Sequence, residues 1–123
     1  MSEPRNIVLD TETTGIGPEF HRLLEIAALE FIPSTGGILT PYHVVINPQR
    51  DVPDEAAAVH GWTTEKLLDK PLLAEVADEF LAFVEGAHVV IHNARFDVGF
   101  LDTELDRIGK PKLSTVAASI TCT

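Results

Sequence analysis

The sequence predicts an α/β domain built on a mixed sheet. Three observations carry that expectation. A short apolar run, Asn6-Ile7-Val8-Leu9-Asp10, is closed by a turn cluster. Two β-rich stretches flank a Gly-containing break, and the second half alternates amphipathic helix with apolar strand. With 123 residues the chain has the size of one domain, expected over residues 1–123.

The elements follow in order. Asn6 to Asp10 reads as a buried strand that ends at Thr13-Thr14-Gly15 through Gly17-Pro18. His21 to Ile32 is ambiguous, because Leu24, Ile26 and Ala28 alternate while Leu and Ala favour helix. Pro33-Ser34-Thr35-Gly36-Gly37 breaks the chain before a second β-rich run, Tyr42 to Ile46, and the pair suggests a hairpin. Leu73, Val76, Ala77, Phe80, Leu81 and Val84 have helical spacing, with Pro71 near the start and Gly86 past the end. Ala87 to Ile91 is a strand. Asn93 is the expected N-cap of a helix from Ala94 to Ile108, ended by Gly109 and Pro111. Leu113 to Ile120 is expected to form a last strand.

Charge restricts the function. Nine basic against nineteen acidic residues give −10, and no Lys/Arg-rich stretch is present. Nucleic-acid binders draw affinity from neutralising phosphates. Either the chain does not bind nucleic acid alone, or metal ions and a partner supply the positive charge. No apolar run approaches the roughly 18–20 residues of a membrane helix, and the start lacks the pattern of a signal peptide. The single cysteine, Cys122, permits no internal disulfide and no cysteine-built zinc site. A soluble cytoplasmic domain without a membrane partner is expected.

Asp10 and Glu12 are the first residues with chemistry. Two apart on a strand, their carboxylates point to one side, an oxygen-rich arrangement suited to Mg²⁺ or Mn²⁺. Equally, Asp10 could cap a turn with Glu12 solvated. Asp97 lies on or beside the stripe formed by Phe96, Phe100, Leu101, Leu105 and Ile108. A carboxylate there is costly unless paired or metal-bound; the alternative is a favourable place near a helix N-terminus. Arg95 faces elsewhere on that helix, and Asp102, Glu104 and Asp106 read as surface charges. His60 and His92 read singly as hydrogen-bonding turn residues, and an exposed Phe20 or Trp62 near the acids would suggest base stacking. There is no G-x-S-x-G turn and no P-loop, and a Cys122 nucleophile lacks a nearby base.

Asp10-Thr11-Glu12-Thr13-Thr14-Gly15 resembles the first motif of DEDD-type 3′–5′ exonucleases. His92-Asn93-Ala94-Arg95-Phe96-Asp97 through Phe100-Leu101 resembles their second. Val59-His60-Gly61, Leu68-Asp69-Lys70-Pro71 and Ala74-Glu75-Val76-Ala77 are similar to the proofreading, epsilon-type branch that serves bacterial DNA polymerase III. The resemblance implies a ribonuclease-H-like fold, a five-stranded mixed sheet with flanking helices, in which Leu24 to Phe31 is a strand. It implies two-metal hydrolysis at a single-stranded or frayed DNA 3′ end, with two Mg²⁺ or Mn²⁺ ions. Asp10, Glu12 and Asp97 match three of the four acidic ligands, and are thus the implied catalytic residues. His60, Thr13 and the Glu12 backbone would lie at the terminal nucleotide. The polymerase catalytic subunit and clamp are the implied partners.

The pattern departs from the family at the C-terminal side. The third motif, a histidine followed by a final aspartate, has no counterpart before Thr123, so no general base is identifiable. Cys122 stands where relatives read Asp. The fold is therefore expected to be incomplete at its C-terminus, without the last helices. Catalysis is expected to be impaired, since loss of a general base costs about 10²–10⁴ in rate. A non-catalytic module that keeps the fold to contact a polymerase or clamp is the competing expectation.

Overall fold

A computed structural model describes residues 5–123. The chain runs β1 (Asn6–Thr13), β2 (Leu23–Ile32), β3 (Gly37–Val45), α1 (Asp54–His60), α2 (Thr64–Leu67), α3 (Leu73–Val84), β4 (His88–Ile91), α4 (Ala94–Arg107), α5 (Leu113–Val116) and β5 (Ser119–Cys122). The five strands form one sheet in the order β3-β2-β1-β4-β5. Pairs β1–β2 and β2–β3 are antiparallel, whereas β1–β4 and β4–β5 are parallel. The expected α/β class and mixed sheet are thus observed.

Alternation makes β1 the organiser. Ile7, Leu9, Thr11 and Thr13 are buried, while Val8 and Asp10 face solvent. On the buried side Ile7, Leu9, Ile26, Val89 and Ile91 form one continuous core with Phe80 and Val84 of α3 and Phe100, Leu101 and Leu105 of α4. Helix α3 has the bounds its spacing predicts. Its first turn is closed by Glu75, whose Oε1 accepts from the Leu72 N–H at 2.9 Å. Among the described residues no helix is long and apolar enough to cross a membrane.

The ambiguous stretch is strand β2, and its alternation is not regular. Glu12 pairs with Glu25 but Thr13 pairs with Leu23, so Leu24 is an extra residue in the ladder. Such a bulge turns one side chain to the other face. Leu23 therefore joins Ile26 and Ala28 in the main core, and Leu24 enters a second cluster with Val52 and Leu67. That small cluster anchors α1 and α2, neither of which the sequence pattern predicted, against the acid-bearing end of β1.

Other boundaries also differ. Strand β3 begins at Gly37, earlier than the Tyr42 expected. The hairpin closes tightly through the Gly36 N–H to the Ile32 carbonyl at 2.8 Å, with Gly36 at φ +74°. The last expected strand is instead a helical turn, α5, followed by the four-residue β5. Asp102 on α4 stabilises that turn by accepting from the Ser114 N–H at 3.3 Å and the Ser114 hydroxyl at 2.7 Å. The chain can then step across before pairing with β4.

Among the described residues one buried side-chain polar atom is orphaned. The Tyr42 hydroxyl, packed beside the rings of Phe80 and Phe83, has no hydrogen-bond partner. An unsatisfied buried hydroxyl costs about 1–3 kcal/mol. Tyr42→Phe is expected to raise stability by about 1 kcal/mol in urea unfolding; a decrease would show that the hydroxyl is bonded in solution.

Candidate active site

Strand β1 carries Asp10 and Glu12 on the face opposite the main core that α3 and α4 cover. Asp10 is exposed opposite Ala27, and Glu12 is half-buried opposite Glu25. Asp97 arrives from the other direction, in the first turn of α4, and is buried with 4% exposure. The contact between the two elements is Thr11, whose hydroxyl donates to Asp97 Oδ1 at 2.7 Å. Alternation thus sends Asp10 and Glu12 one way and Thr11 the other, and Thr11 ties Asp97 to the strand between them.

The three acids act on one another electrostatically. Burial raises the Glu12 pKa first, then the charge of Asp10, with smaller pushes from Glu25 and Asp97 against a pull from His60. Burial likewise raises Asp97; the Thr11 hydroxyl lowers it, Asp10 raises it and His92 lowers it. Negative charge is therefore concentrated here without a neutralising Lys or Arg salt bridge to these acids among the described residues. The donor set, three hard carboxylates under mutual repulsion, fits a divalent cation such as Mg²⁺ or Mn²⁺. Among the described residues no three His, Cys, Asp or Glu side chains stand close enough to form a ready cage. The acids are a loose cluster whose charge favours a cation.

His60 ends α1, where Gly61 takes φ +80° and turns the chain back. Both of its ring nitrogens are used. Nδ1 accepts from the Trp62 N–H at 3.1 Å, so the proton sits on Nε2, which donates to the Thr13 carbonyl at 3.2 Å. His60 is thus a clasp between α1 and the end of β1. Trp62 is fixed by its own indole N–H to Glu25 Oε1 at 3.0 Å, and His43 meets the other Glu25 oxygen. Of the two aromatics considered for stacking, Trp62 is tied down, whereas Phe20 is 77% exposed on the loop after β1.

A cleft of ≈ 240 Å³ opens beside Glu12. Thr13, Gly15 and Ile16 form one wall, Val59 and His60 of α1 another, and Phe96 of α4 the floor. An adjoining groove of ≈ 400 Å³ shares Ile16 and Phe96 and continues past Asn93 and Arg95. Phe96 is braced by Phe100, with ring centroids 5.0 Å apart. The surface offers an apolar slot next to carboxylates, extended toward a single arginine.

The N-terminal end of α4 is built differently from the expectation. Asn93 makes no side-chain cap and instead occupies the left-handed region at φ 58°, ψ 54°. Asn tolerates this region better than most residues, so the helix can start immediately after β4. The Ala94 N–H is met by Cys122 Sγ at 3.3 Å, which places Cys122 at the start of the helix that carries Asp97. His92 is exposed there. Glu104, read as a surface charge, is buried at 7% exposure, and its Oε2 accepts from the Leu23 N–H. The spacing that put Asp97 beside Phe100 and Leu101 also puts Glu104 beside them. That shared spacing is the sequence signal for the burial of Glu104.

The exonuclease family model that describes RNase T-type domains matches residues 7–122. The chain belongs to this exonuclease family. It is 43% identical over 122 residues to the DNA polymerase III subunit epsilon of Rickettsia felis, covering 97% of this chain and 52% of that protein. The Escherichia coli subunit of the same name is 48% identical over 120 residues, covering 90% of this chain and 48% of its own length. The chain thus spans about half the length of these curated relatives. Among solved structures, Exonuclease X in complex with 5′ overhanging duplex DNA superposes with a TM-score of 0.63 at 31% identity. That match covers 77% of this chain and 52% of the other. The zinc-bound E. coli exonuclease I–single-stranded DNA complex gives 0.84 at 17% identity, covering 99% of this chain and 28% of the other, and supports the fold alone. The ribonuclease-H-like exonuclease fold expected of this family is therefore the fold observed.

Proposed function

We propose that this exonuclease domain removes nucleotides from a single-stranded or frayed DNA 3′ end, in the manner of a polymerase III epsilon subunit. The observation that carries the reading is the buried Asp97, joined through Thr11 to the strand that carries Asp10 and Glu12, with Thr11 and Glu12 lining the Phe96 cleft. The relatives named DNA polymerase III subunit epsilon support the substrate class, and the polymerase catalytic subunit and clamp are the partners it suggests. Such work belongs in the cytoplasm.

Asp10, Glu12 and Asp97 are the residues that would hold Mg²⁺ or Mn²⁺. Two such ions, when bound, activate a water and relieve charge on the leaving oxygen. The protein's own residues bind and orient. The Glu12 backbone and Thr13 face the terminal nucleotide, Phe96 and Ile16 offer apolar surface to its base, and His60 fixes the Thr13 carbonyl rather than taking a proton. With a net charge of −10, the chain has little sequence-independent attraction for DNA, so neutralisation of the acids by cations governs binding.

The test follows a 5′-labelled single strand incubated with the protein and Mn²⁺, alongside an Asp10→Ala variant. Stepwise shortening with release of nucleoside monophosphates, lost in the variant, is expected. No shortening, or shortening indifferent to Asp10→Ala, would overturn the proposal and favour a non-catalytic module that contacts a polymerase.

A further inference from the structure

Between β1 and β2 the chain makes a loop that supplies one wall of the cleft. Ile16, at its tip, is 86% exposed, so its own packing does not hold it. The root of the loop is held by polar contacts. Thr14 is fully buried; its N–H donates to the Arg22 carbonyl at 2.9 Å, and its hydroxyl oxygen accepts from the Arg22 N–H at 3.1 Å. The Thr13 hydroxyl donates to the Gly15 carbonyl at 2.7 Å.

His21 lies at the centre of this arrangement. Arg50 Nη1, which can only donate, stands 3.2 Å from His21 Nδ1, so that nitrogen is an acceptor; the Thr14 hydroxyl donates to it as well, at 2.9 Å. The same Arg50 nitrogen donates to the Phe20 carbonyl at 2.7 Å. The ring so held lies against Gly15. A Cβ on Gly15 would stand 2.4 Å from His21 Cε1 and 2.6 and 2.7 Å from the two ring nitrogens. The imidazole cannot swing away without leaving Thr14 and Arg50, so Gly15 is required by close approach.

We infer that His21 is a positioning residue for the nucleotide cleft, its Arg50-held ring setting the height of Gly15 and with it the Gly15–Ile16 wall beside Glu12. The inference deepens the exonuclease reading and rests on it for the nature of the ligand. His21 touches no substrate; it acts through Gly15. Removing the ring would free the wall, and adding a methyl to Gly15 would push wall and ring apart.

Calorimetric titration with deoxythymidine 5′-monophosphate in Mn²⁺ tests this on Gly15→Ala, His21→Ala and the double variant. Each single change is expected to weaken binding about tenfold, and the double variant to bind no worse than His21→Ala alone, because contacting residues couple. Multiplying losses, about a hundredfold in the double variant, would overturn the inference. Amide hydrogen exchange at Thr14 and Gly15 provides a second reading that does not depend on nucleotide. His21→Asn, which keeps an acceptor, is expected to retain protection and binding, and His21→Leu to lose both. Equal protection in Asn and Leu variants would overturn the inference. Wild-type protein that shows the exchange pattern but binds no nucleotide would instead sink the exonuclease reading and leave His21 as a loop anchor.

Discussion

Asp97→Asn is expected to abolish exonuclease activity while making the protein more stable. Outer-shell partners of a metal site are typically worth about 10–100-fold, so loss of a carboxylate ligand itself should cost at least about 10² in rate. The stability change has the opposite sign for a physical reason. Asp97 is buried, and burial holds its pKa above the ordinary value of 3.8. The ionised form is therefore disfavoured in the folded chain, and the stability cost builds as pH rises from the ordinary value of 3.8 to the raised folded value, then stays level at higher pH. Asparagine keeps an oxygen to accept from the Thr11 hydroxyl and removes the charge. A function-bearing residue that costs stability is common at active sites. Thermal melting and Mn²⁺-dependent hydrolysis, measured on the same preparations at pH 8, check both halves. A variant that loses activity and melts lower would mean that Asp97 is a structural partner of Thr11 and not a cation ligand.

Much of this site can be read from the sequence because its key spacings are short. Asp10 and Glu12 share a strand face by alternation, and Asp97 shares the helical period of Phe100 and Leu101. Both periods are properties of the backbone and need no knowledge of the fold. What could not be read depends on a partner distant in sequence. The bulge at Leu24 exists because Leu24 has Val52 and Leu67 to pack against while Leu23 faces the main core. His60 is a clasp because Thr13 and Trp62 happen to lie on either side of its ring. Likewise α5 forms where Asp102, on another helix, meets the Ser114 N–H. Asn93 shows how a composition rule misleads: a residue type favoured at N-caps is equally at home in the left-handed region, and here the second use prevails. The His21–Gly15 contact had no sequence signal, since a glycine in a turn is ordinary and its neighbouring ring is found only by folding.

Glu104→Gln is expected to remove a large part of the chain's pH-dependent stability. Glu104 lines a cavity of ≈ 110 Å³ with Arg22 and Arg107, at the side of α4 facing the start of β2. Burial dominates its titration and raises the pKa from 4.5 to about 7, against downward pulls from the Leu23 N–H and the two arginines. Below pH 4.5 the carboxyl is protonated whether the chain is folded or not, and its contribution is fully present. As pH rises, the unfolded carboxyl ionises first while the folded one keeps its proton, so stability falls until the folded group ionises near pH 7 and then levels. At about 1.4 kcal/mol per pH unit, the interval from 4.5 to about 7 amounts to about 3 kcal/mol. Glu12 and Asp97 shift in the same direction, so none of the three offsets another. Urea unfolding is therefore expected to give a wild-type protein more stable at pH 5 than at pH 8. Glu104→Gln, which still offers an oxygen to the Leu23 N–H, should match the wild type near pH 5 and exceed it at pH 8. Parallel curves for the two proteins would mean that Glu104 is ionised in the folded chain and paired with Arg22 or Arg107. The same α4 carries Asp97 at one end and Glu104 at the other. A charge forced onto Glu104 is expected to loosen the attachment of α4 to β2 through the Leu23 N–H, and with it the hold on the helix that carries Asp97.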